Sequence, residues 1–154
     1  MKLRLVRIDK TLPLPEYQTQ GAVAFDLYTR VDATILPREK ATLPSNLIVE
    51  VPEGYFLMIA ARSSLPKRGL MLSNGIGVLD QDYHGPKDEV GILVYNFTDA
   101  PVEVKRGDRL AQALIVPILK AEFEEVESIK EESRGGFGST GLTTGSATGL
   151  TTSI

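Results

Sequence analysis

The 154-residue chain contains no cysteine, no tryptophan and a single histidine, His84. The absence of cysteine excludes a disulfide framework, a catalytic thiolate and a zinc site held by thiolates. A lone histidine excludes multi-histidine metal sites and leaves little room for a Ser/His/Asp triad. Any catalysis by this chain must therefore depend on carboxylates, hydroxyls and arginine.

The chain also lacks a net positive charge and a long apolar run. With 17 Lys and Arg against 20 Asp and Glu, the formal net charge is -3, so no overall positive field attracts a phosphate backbone and we expect no nucleic-acid partner. The longest apolar run, near residues 55–61, is far shorter than a membrane span. The first eight residues interleave charged and apolar side chains, unlike a signal peptide. We therefore expect no membrane partner and a cytoplasmic location.

Short apolar segments alternate with 9 prolines and 14 glycines. Segments rich in Val, Ile, Leu, Tyr and Phe between such breakers are typical of β-strands. Residues 63–68 could form one helical turn, but no long amphipathic helical stripe is present. The pattern predicts an all-β fold of the sandwich, jelly-roll or barrel kind. The predicted strands are 2–8, 25–29, 33–36, 40–51, 55–61, 70–79, 90–96, 102–104 and 109–116.

The composition changes near residue 133, after which glycine, threonine and serine dominate. This predicts a β domain over residues 1–132 and a flexible C-terminal arm over 133–154. Arg134 and Phe137 stand among the glycines, but the segment lacks the lysine of a phosphate-binding Walker loop. The arm could close over a nucleotide with a stacking ring and free backbone N–H groups, or it could be a simple disordered tail.

Two segments follow predicted strands and carry candidate chemistry. Arg62, Ser63 and Ser64 come directly after the apolar run at 55–61; a guanidinium and two hydroxyls suit phosphate oxygens, although a serine-capped turn is an equal alternative. Asp80 and Asp82 are spaced so that a strand would place both on one face. One of them could act as a base, and the alternative is a polar hairpin turn.

Two further segments are individually weak. Asp26 follows Phe25 and indicates either a buried carboxylate that holds a loop or a distant metal partner. Residues 107–112 begin a strand from a tight turn, with Asp108 and Arg109 placed for a local or intersubunit ion pair. Alone, each segment is most simply structural.

Together and in this order, these segments resemble the five motifs of the trimeric dUTPase family, the dUTP nucleotidohydrolases. The resemblance covers about residues 2 to 141, and its most specific part is the third motif. The matching segments are Ala24 to Leu27, Arg62 to Leu65, Asn74 with Gly77 to Gly85, Gly107 to Gln112, and Arg134 to Gly141.

The resemblance implies a jelly-roll-like β subunit assembled as a homotrimer. Three active sites would each be built from all three chains, and the C-terminal arm would close a neighbour's site. The reaction would be hydrolysis of dUTP to dUMP and pyrophosphate, by attack of water on the α-phosphorus with Mg2+ bound along the triphosphate. Such a reaction limits uracil incorporation into DNA and supplies dUMP for dTTP synthesis.

The resemblance also implies roles for individual residues in catalysis and base recognition. Asp80 would orient and deprotonate the attacking water. Tyr83 would pack beneath the deoxyribose and leave no room for a 2'-hydroxyl. Asn74 and the backbone of Gly77, Val78 and Leu79 would bind the uracil edge, and Gly91 completes the expected substrate-binding set on this side.

A second group would contact the phosphates and the metal. Ser63 would lie closest to the scissile bridge, with Gln112 as a further catalytic contact and Arg62 and Ser64 as phosphate ligands. Asp26 would touch Mg2+ through its water shell. On the arm, Phe137 would stack on uracil while Arg134, Gly138 and Ser139 cover the γ-phosphate.

Some residues depart from the family pattern. Ala24, Ala61 and Pro66 replace the usual glycine, proline and alanine, and the link 85–91 is about three residues longer than usual. Arg134 also stands about two residues nearer to Phe137 than in the commonest spacing.

Two alternatives remain. A dCTP deaminase or bifunctional enzyme on the same fold would need a catalytic glutamate beside the base, and no matching motif is present. A non-catalytic nucleotide sensor would bind without turnover. The joint presence of Asp26, Ser63, Asp80, Gln112 and Phe137 favours the enzyme.

Overall fold

The computed structural model describes residues 1–129 of the chain. The chain divides into two units, Met1–Lys120 and Ala121–Ile154. All regular secondary structure of the described residues belongs to the first unit, and residues 121–129 of the second form no helix or strand. The predicted boundary between 132 and 133 lies outside the described residues, so the division into domain and arm stays a prediction. No helix within residues 1–129 combines the length and hydropathy needed to cross a membrane.

Strands make up nearly all the regular structure of the described residues, as the sequence predicts. The one helical element among residues 1–129 is a 3-10 turn at Pro66–Arg68, within the segment 63–68 that was expected to form a helical turn. The strands are β1 (Arg4–Arg7), β2 (Phe25–Tyr28), β3 (Ala33–Ile35), β4 (Lys40–Pro44), β5 (Leu47–Glu50), β6 (Tyr55–Ala61), β7 (Leu70–Leu72), β8 (Gly77–Leu79), β9 (Gly91–Asn96), β10 (Val102–Val104) and β11 (Arg109–Pro117).

Two strands predicted as continuous are each divided in the structure. The segment 40–51 breaks between β4 and β5, where Asn46 has a φ of 72°, a left-handed conformation that ends strand pairing but that asparagine tolerates. Its side-chain amide donates to the Asp9 carbonyl at 2.9 Å and its Oδ1 accepts from the Asp9 N–H at 2.6 Å. The segment 70–79 breaks between β7 and β8 at a turn in which Gly75 has a φ of 69°. Both predictions were wrong because a local turn residue overrides apolar continuity.

The strands form antiparallel sheets. A four-stranded sheet has the order β2-β11-β6-β8 and a three-stranded sheet the order β4-β9-β7, with separate pairs β1-β5 and β10-β3. The long strand β11 pairs with both β2 and β6, which places Gln112 opposite Asp26 on one side and opposite Ala60 on the other. Polar residues from three separate motifs are thereby brought to neighbouring positions.

The core is formed by apolar side chains from both larger sheets. Leu27, Leu57 and Leu110 of the four-stranded sheet and Ile92 and Val94 of the three-stranded sheet are fully buried. Burial alternates along β9, as expected for a strand with one face toward the core. The core holds the strands in place, and the ends and edges of the strands carry polar groups.

A polar cluster just beyond the end of β1 gives Asp9 an unusually acidic carboxyl. Hydrogen bonds from the Thr11 hydroxyl, from Arg106 and from the Thr11 N–H lower the pKa of Asp9 far below its usual value. Asp108 behaves similarly, because hydrogen bonds from Arg68 and the Lys105 N–H outweigh its partial burial and lower its pKa. Both carboxylates therefore stabilise the fold only while they are ionised.

We expect acid to destabilise the protein through these carboxylates. The pKa of an aspartate in the unfolded chain is about 3.9, and the pKa values of Asp9 and Asp108 in the folded protein lie lower. The contribution of both carboxylates is complete above the unfolded pKa and is lost as the pH falls toward the folded pKa values, because the unfolded chain then binds more protons. The urea midpoint of unfolding should be constant above about pH 5 and fall progressively as the pH is lowered through about pH 4 and below. Asp9→Asn should flatten this dependence, and an unchanged slope would contradict the role of Asp9.

Candidate active site

A cavity of about 270 Å³ lies beside β8 and β9. Six residues that the sequence assigns to substrate binding meet on its wall: Asn74, Gly77, Val78, Leu79, Tyr83 and Gly91. The other lining residues, which sequence reasoning missed, are Thr42, Ile59, Glu89 and Leu93. The cavity is close to the lower limit of about 300 Å³ for pockets that enclose drug-sized ligands, so it suits one small group.

Two glycines let the cavity walls approach closely. A Cβ atom on Gly77 would lie 2.9 Å from the Ile59 Cβ, and one on Gly91 would lie 2.9 Å from the Thr42 Cγ2. Both distances are shorter than normal van der Waals contact, so a side chain at either position would force the wall to move. The two glycines thus explain why backbone, rather than side chains, faces this part of the cavity.

Strand β8 lies at one edge of its four-stranded sheet, and β2 lies at the other. Within residues 1–129, β8 pairs only with β6, through Gly77, Val78 and Leu79. An edge strand presents unpaired N–H and C=O groups on its outer side. These groups can hydrogen-bond the polar edge of a planar ring, as an added strand would.

Asp80 and Tyr83 follow β8 directly. Asp80 is exposed and lines a second cavity of about 300 Å³ together with Tyr55, Phe56 and Gln81, among others. The Tyr83 N–H donates to the Asp80 carbonyl at 3.4 Å, and the Tyr83 hydroxyl lies 3.4 Å from the Glu89 carbonyl. The turn therefore places the partly exposed Tyr83 ring on the wall of the first cavity and an exposed carboxylate, Asp80, on the wall of the second.

A separate polar group centres on the buried carboxylate of Asp26. Its Oδ1 lies 2.8 Å from the Arg62 Nε, and its Oδ2 lies 3.0 Å from the Arg109 Nη1. Arg62 also donates to the Arg109 carbonyl at 3.2 Å. Both residues around which an ion pair was predicted form one within the chain, but with partners distant in sequence: Arg109 pairs with Asp26 and Asp108 pairs with Arg68.

The remaining phosphate candidates lie next to this carboxylate. The Gln112 amide donates to the Ala61 carbonyl at 3.0 Å, and Gln112 is opposite Asp26 in the β2-β11 register. Ser63 is exposed and Ser64 half-buried, in a turn closed by a hydrogen bond from the Leu65 N–H to the Arg62 carbonyl. Buried Leu65 anchors that turn to the core. The structure therefore collects Asp26, Arg62, Ser63, Ser64 and Gln112 at one end of β6.

The two groups lie at opposite ends of β6. Leu79, which precedes Asp80, pairs with Leu57, and Ser63 follows the end of the strand at Ala61. At about 3.4 Å per residue, Leu57 and Ala61 are roughly 14 Å apart, and Asp80 and Ser63 lie beyond them in opposite directions. Within one chain, a single phosphorus atom cannot lie beside both Asp80 and Ser63.

A metal ion would have few direct protein ligands here. Among residues 1–129, no group of three or more histidine, cysteine or acidic side chains is placed to hold one. Both Asp26 oxygens already accept hydrogen bonds from arginine. A carboxylate has about four lone-pair sites, so Asp26 can still accept from a metal-bound water. Its surroundings fit the predicted water-mediated contact and not direct ligation.

The arm residues assigned from the sequence, Arg134, Phe137, Gly138 and Ser139, lie outside the described residues. Of the residues that were missed, Ile59 and Leu93 sit within ordinary strand patterns and carry no sequence signal of a cavity. Glu89 belongs to the long link 85–91, whose unusual length was the only available signal.

Comparisons with known proteins agree with this geometry. The dUTPase family model matches residues 10–141. A deoxyuridine 5'-triphosphate nucleotidohydrolase from Nautilia profundicola is 38% identical over 144 residues, covering 92% of this chain and 99% of the relative. One with the same name from Desulfitobacterium hafniense is 41% identical over 148 residues, covering 92% and 96%.

Solved structures show the same fold. A dUTPase mutant of Staphylococcus bacteriophage 80alpha, determined with dUpNHpp, matches with a TM-score of 0.81 and 24% identity over 92% of this chain and 99% of that one. A dUTPase mutant of phage phi11 of S. aureus, in which a structural Mg(II) ion is coordinated, has a TM-score of 0.73 and 24% identity over 83% and 98%. These matches confirm the predicted all-β, jelly-roll-like fold. With five ordered motifs, a family match over most of its length and relatives near 40% identity, the chain belongs to the dUTPase family.

Proposed function

We propose that the chain hydrolyses dUTP to dUMP and pyrophosphate by Mg2+-assisted attack of water on the α-phosphorus. The observation that carries the proposal is the β8 cavity, where six predicted substrate residues meet and Asp80 follows directly. Family membership and relatives named for this reaction support the same substrate.

Base selection follows from the edge of β8. Uracil presents an alternating set of acceptors and one donor, which extended backbone can match with its own N–H and C=O groups. Cytosine would place a donor where uracil has an acceptor, leaving a buried polar group unpaired. Exclusion of thymine would depend on contact between its methyl group and the residues that line the cavity.

Asp80 serves as the general base in this proposal. It is an exposed carboxylate in the residue directly after β8 and can accept a proton from water positioned in line with the α-phosphorus. Tyr83 lies against the sugar and excludes a 2'-hydroxyl by shape.

Phosphate binding is assigned to the end of β6. Arg62, Ser63, Ser64 and Gln112 supply donors there, and the pairs of Asp26 with Arg62 and Arg109 hold two guanidinium groups in place before substrate arrives. Preorganised donors stabilise the charge that develops on the phosphates. Bound Mg2+ would neutralise charge along the triphosphate, and Asp26 would contact its water shell.

A homotrimer with shared sites is part of the proposal. Because Asp80 and Ser63 lie toward opposite ends of β6, both can reach the same α-phosphorus only if they come from different copies of the chain. Closed symmetric assembly is the common way to bring two such surfaces together. Arm residues Arg134, Phe137, Gly138 and Ser139 are proposed to cover the bound nucleotide in a neighbouring copy. A role in limiting uracil in DNA and supplying dUMP follows from the same reaction. We place this role in the cytoplasm as part of the proposal.

Pyrophosphate release from dUTP, dCTP, dTTP and UTP, each assayed with Mg2+ and with EDTA, tests the proposal. We expect turnover with dUTP and Mg2+ only. Turnover of dCTP with release of ammonia would favour a deaminase. A chain that binds dUTP without turning over any of the four nucleotides would favour the non-catalytic nucleotide sensor and would overturn the proposed reaction.

A further inference from the structure

The link between Tyr83 and β9 is a compact turn. The Gly85 N–H donates to the Asp88 Oδ2 at 2.7 Å, and the Asp88 N–H donates to the Gly85 carbonyl at 3.0 Å. A Cβ atom on Gly85 would lie only 2.8 Å from that Asp88 oxygen, so the turn closes tightly around a glycine. The additional length of this link is therefore structured, and it ends at Glu89.

The Glu89 side chain binds two links between strands, the β2-β3 link at Arg30 and the β4-β5 link at Asn46. Its Oε1 lies 2.8 Å from the Arg30 Nε and its Oε2 lies 2.9 Å from the Arg30 Nη2, which is a bidentate ion pair. The same Oε1 accepts from the Asn46 N–H at 2.8 Å. The Glu89 side chain is only 15% exposed, and such a half-buried, forked pair holds its partners in one geometry.

Glu89 also touches the proposed sugar site. It lines the β8 cavity, and its carbonyl faces the Tyr83 hydroxyl at 3.4 Å. That distance is long for a hydroxyl hydrogen bond, so the contact adds little to the stability of the fold, but it places the Glu89 backbone next to the Tyr83 hydroxyl. Arg30 is anchored independently, because its N–H donates to the Pro44 carbonyl at 3.0 Å.

We propose that the Arg30–Glu89 ion pair positions Tyr83 against the sugar and thereby sets selectivity for 2'-deoxyribose. This inference rests on the proposed function of the cavity. Arg30 and Glu89 are positioning residues: Arg30 fixes Glu89, and the Glu89 backbone limits where the Tyr83 ring can lie. Loss of the pair frees the ring and opens space for a 2'-hydroxyl.

The test compares kcat/KM for dUTP and for UTP in the full-length protein and in Glu89→Gln. The amide keeps the size of the side chain but removes the charge that Arg30 binds. We expect the ratio of the two kcat/KM values to fall by about tenfold, through a gain for UTP and a loss for dUTP. Asp99→Asn is the matched control, because Asp99 accepts two hydrogen bonds from Arg38 in an exposed pair away from the cavity. Its ratio should equal that of the wild type.

A second variant separates positioning from general destabilisation. Tyr83→Phe removes the hydroxyl that faces Glu89, so adding Glu89→Gln to it should change the ratio little further if the effect passes through that contact. A ratio unchanged in Glu89→Gln, or independent effects in the double variant, would overturn the inference. If the wild type turns over no dUTP, the proposed function fails as well, whereas turnover with unchanged selectivity defeats only the inference on Arg30 and Glu89.

Discussion

Replacing Asp80 with asparagine should lower kcat for dUTP by about 10²–10⁴-fold, the usual contribution of a general base. The amide is nearly the same size as the carboxylate but cannot accept the proton from the attacking water. Asp80 is exposed, so the substitution should leave the fold intact. Binding of dUTP should be retained, because the base cavity is formed by other residues. Single-turnover kinetics together with a binding titration measure the two effects separately.

Asp82→Asn is the matched control for this experiment. Asp82 is also exposed and lines the same second cavity as Asp80, two residues further along the turn. We expect it to change kcat little. A large loss in Asp82→Asn with normal turnover in Asp80→Asn would reassign the base to Asp82, and normal turnover in both would exclude this turn as its source.

Mixing two nearly inactive variants should restore activity. Ser63→Ala removes a donor from the phosphate group and should lower kcat by about 10²-fold or more, while Asp80→Asn removes the base. If each site takes Asp80 from one chain and Ser63 from another, hybrids of the two variants contain some fully intact sites. Random mixing in equal amounts should make about one quarter of the sites intact, with a corresponding recovery of wild-type turnover.

The hybrids require subunit exchange, so the two variants are refolded together or co-expressed with different tags and purified through both tags. The double variant Asp80→Asn with Ser63→Ala, mixed with either single variant, is the control. Every chain in such a mixture lacks the same residue, either Asp80 or Ser63, so no site can be intact. Absence of recovery in verified hybrids would contradict a site shared between chains. It would leave the separation of roughly 14 Å between Leu57 and Ala61 along β6 without a functional explanation.

Much of the site could be predicted from the sequence because its residues are local in the chain. Gly77 to Tyr83 form one strand and turn, so their neighbourhood in sequence is also their neighbourhood in space. The positions of the strands were also predictable, because the alternation of apolar and polar residues, which indicates the face of a strand that meets the core, is itself a local pattern.

Other features depend on partners that are distant in sequence. The pairs of Asp26 with Arg62 and Arg109 arise from the register of β2 and β6 on β11, which no local pattern encodes. The Arg30–Glu89 pair joins residues 59 positions apart. The break at Asn46 was missed because its left-handed backbone is supported by hydrogen bonds to Asp9, again far along the chain.

The position of β8 at the edge of its sheet has a consequence for how this protein can change by mutation. Recognition that relies on main-chain groups is the same whichever side chain the strand carries, and the Val78 side chain is 63% exposed. Substitutions at Val78 should therefore accumulate without altering the choice of base. Changing which main-chain groups of β8 face the base would need a shift in strand register, which reverses the facing of every side chain in the strand, so this part of the recognition is robust to single substitutions on β8.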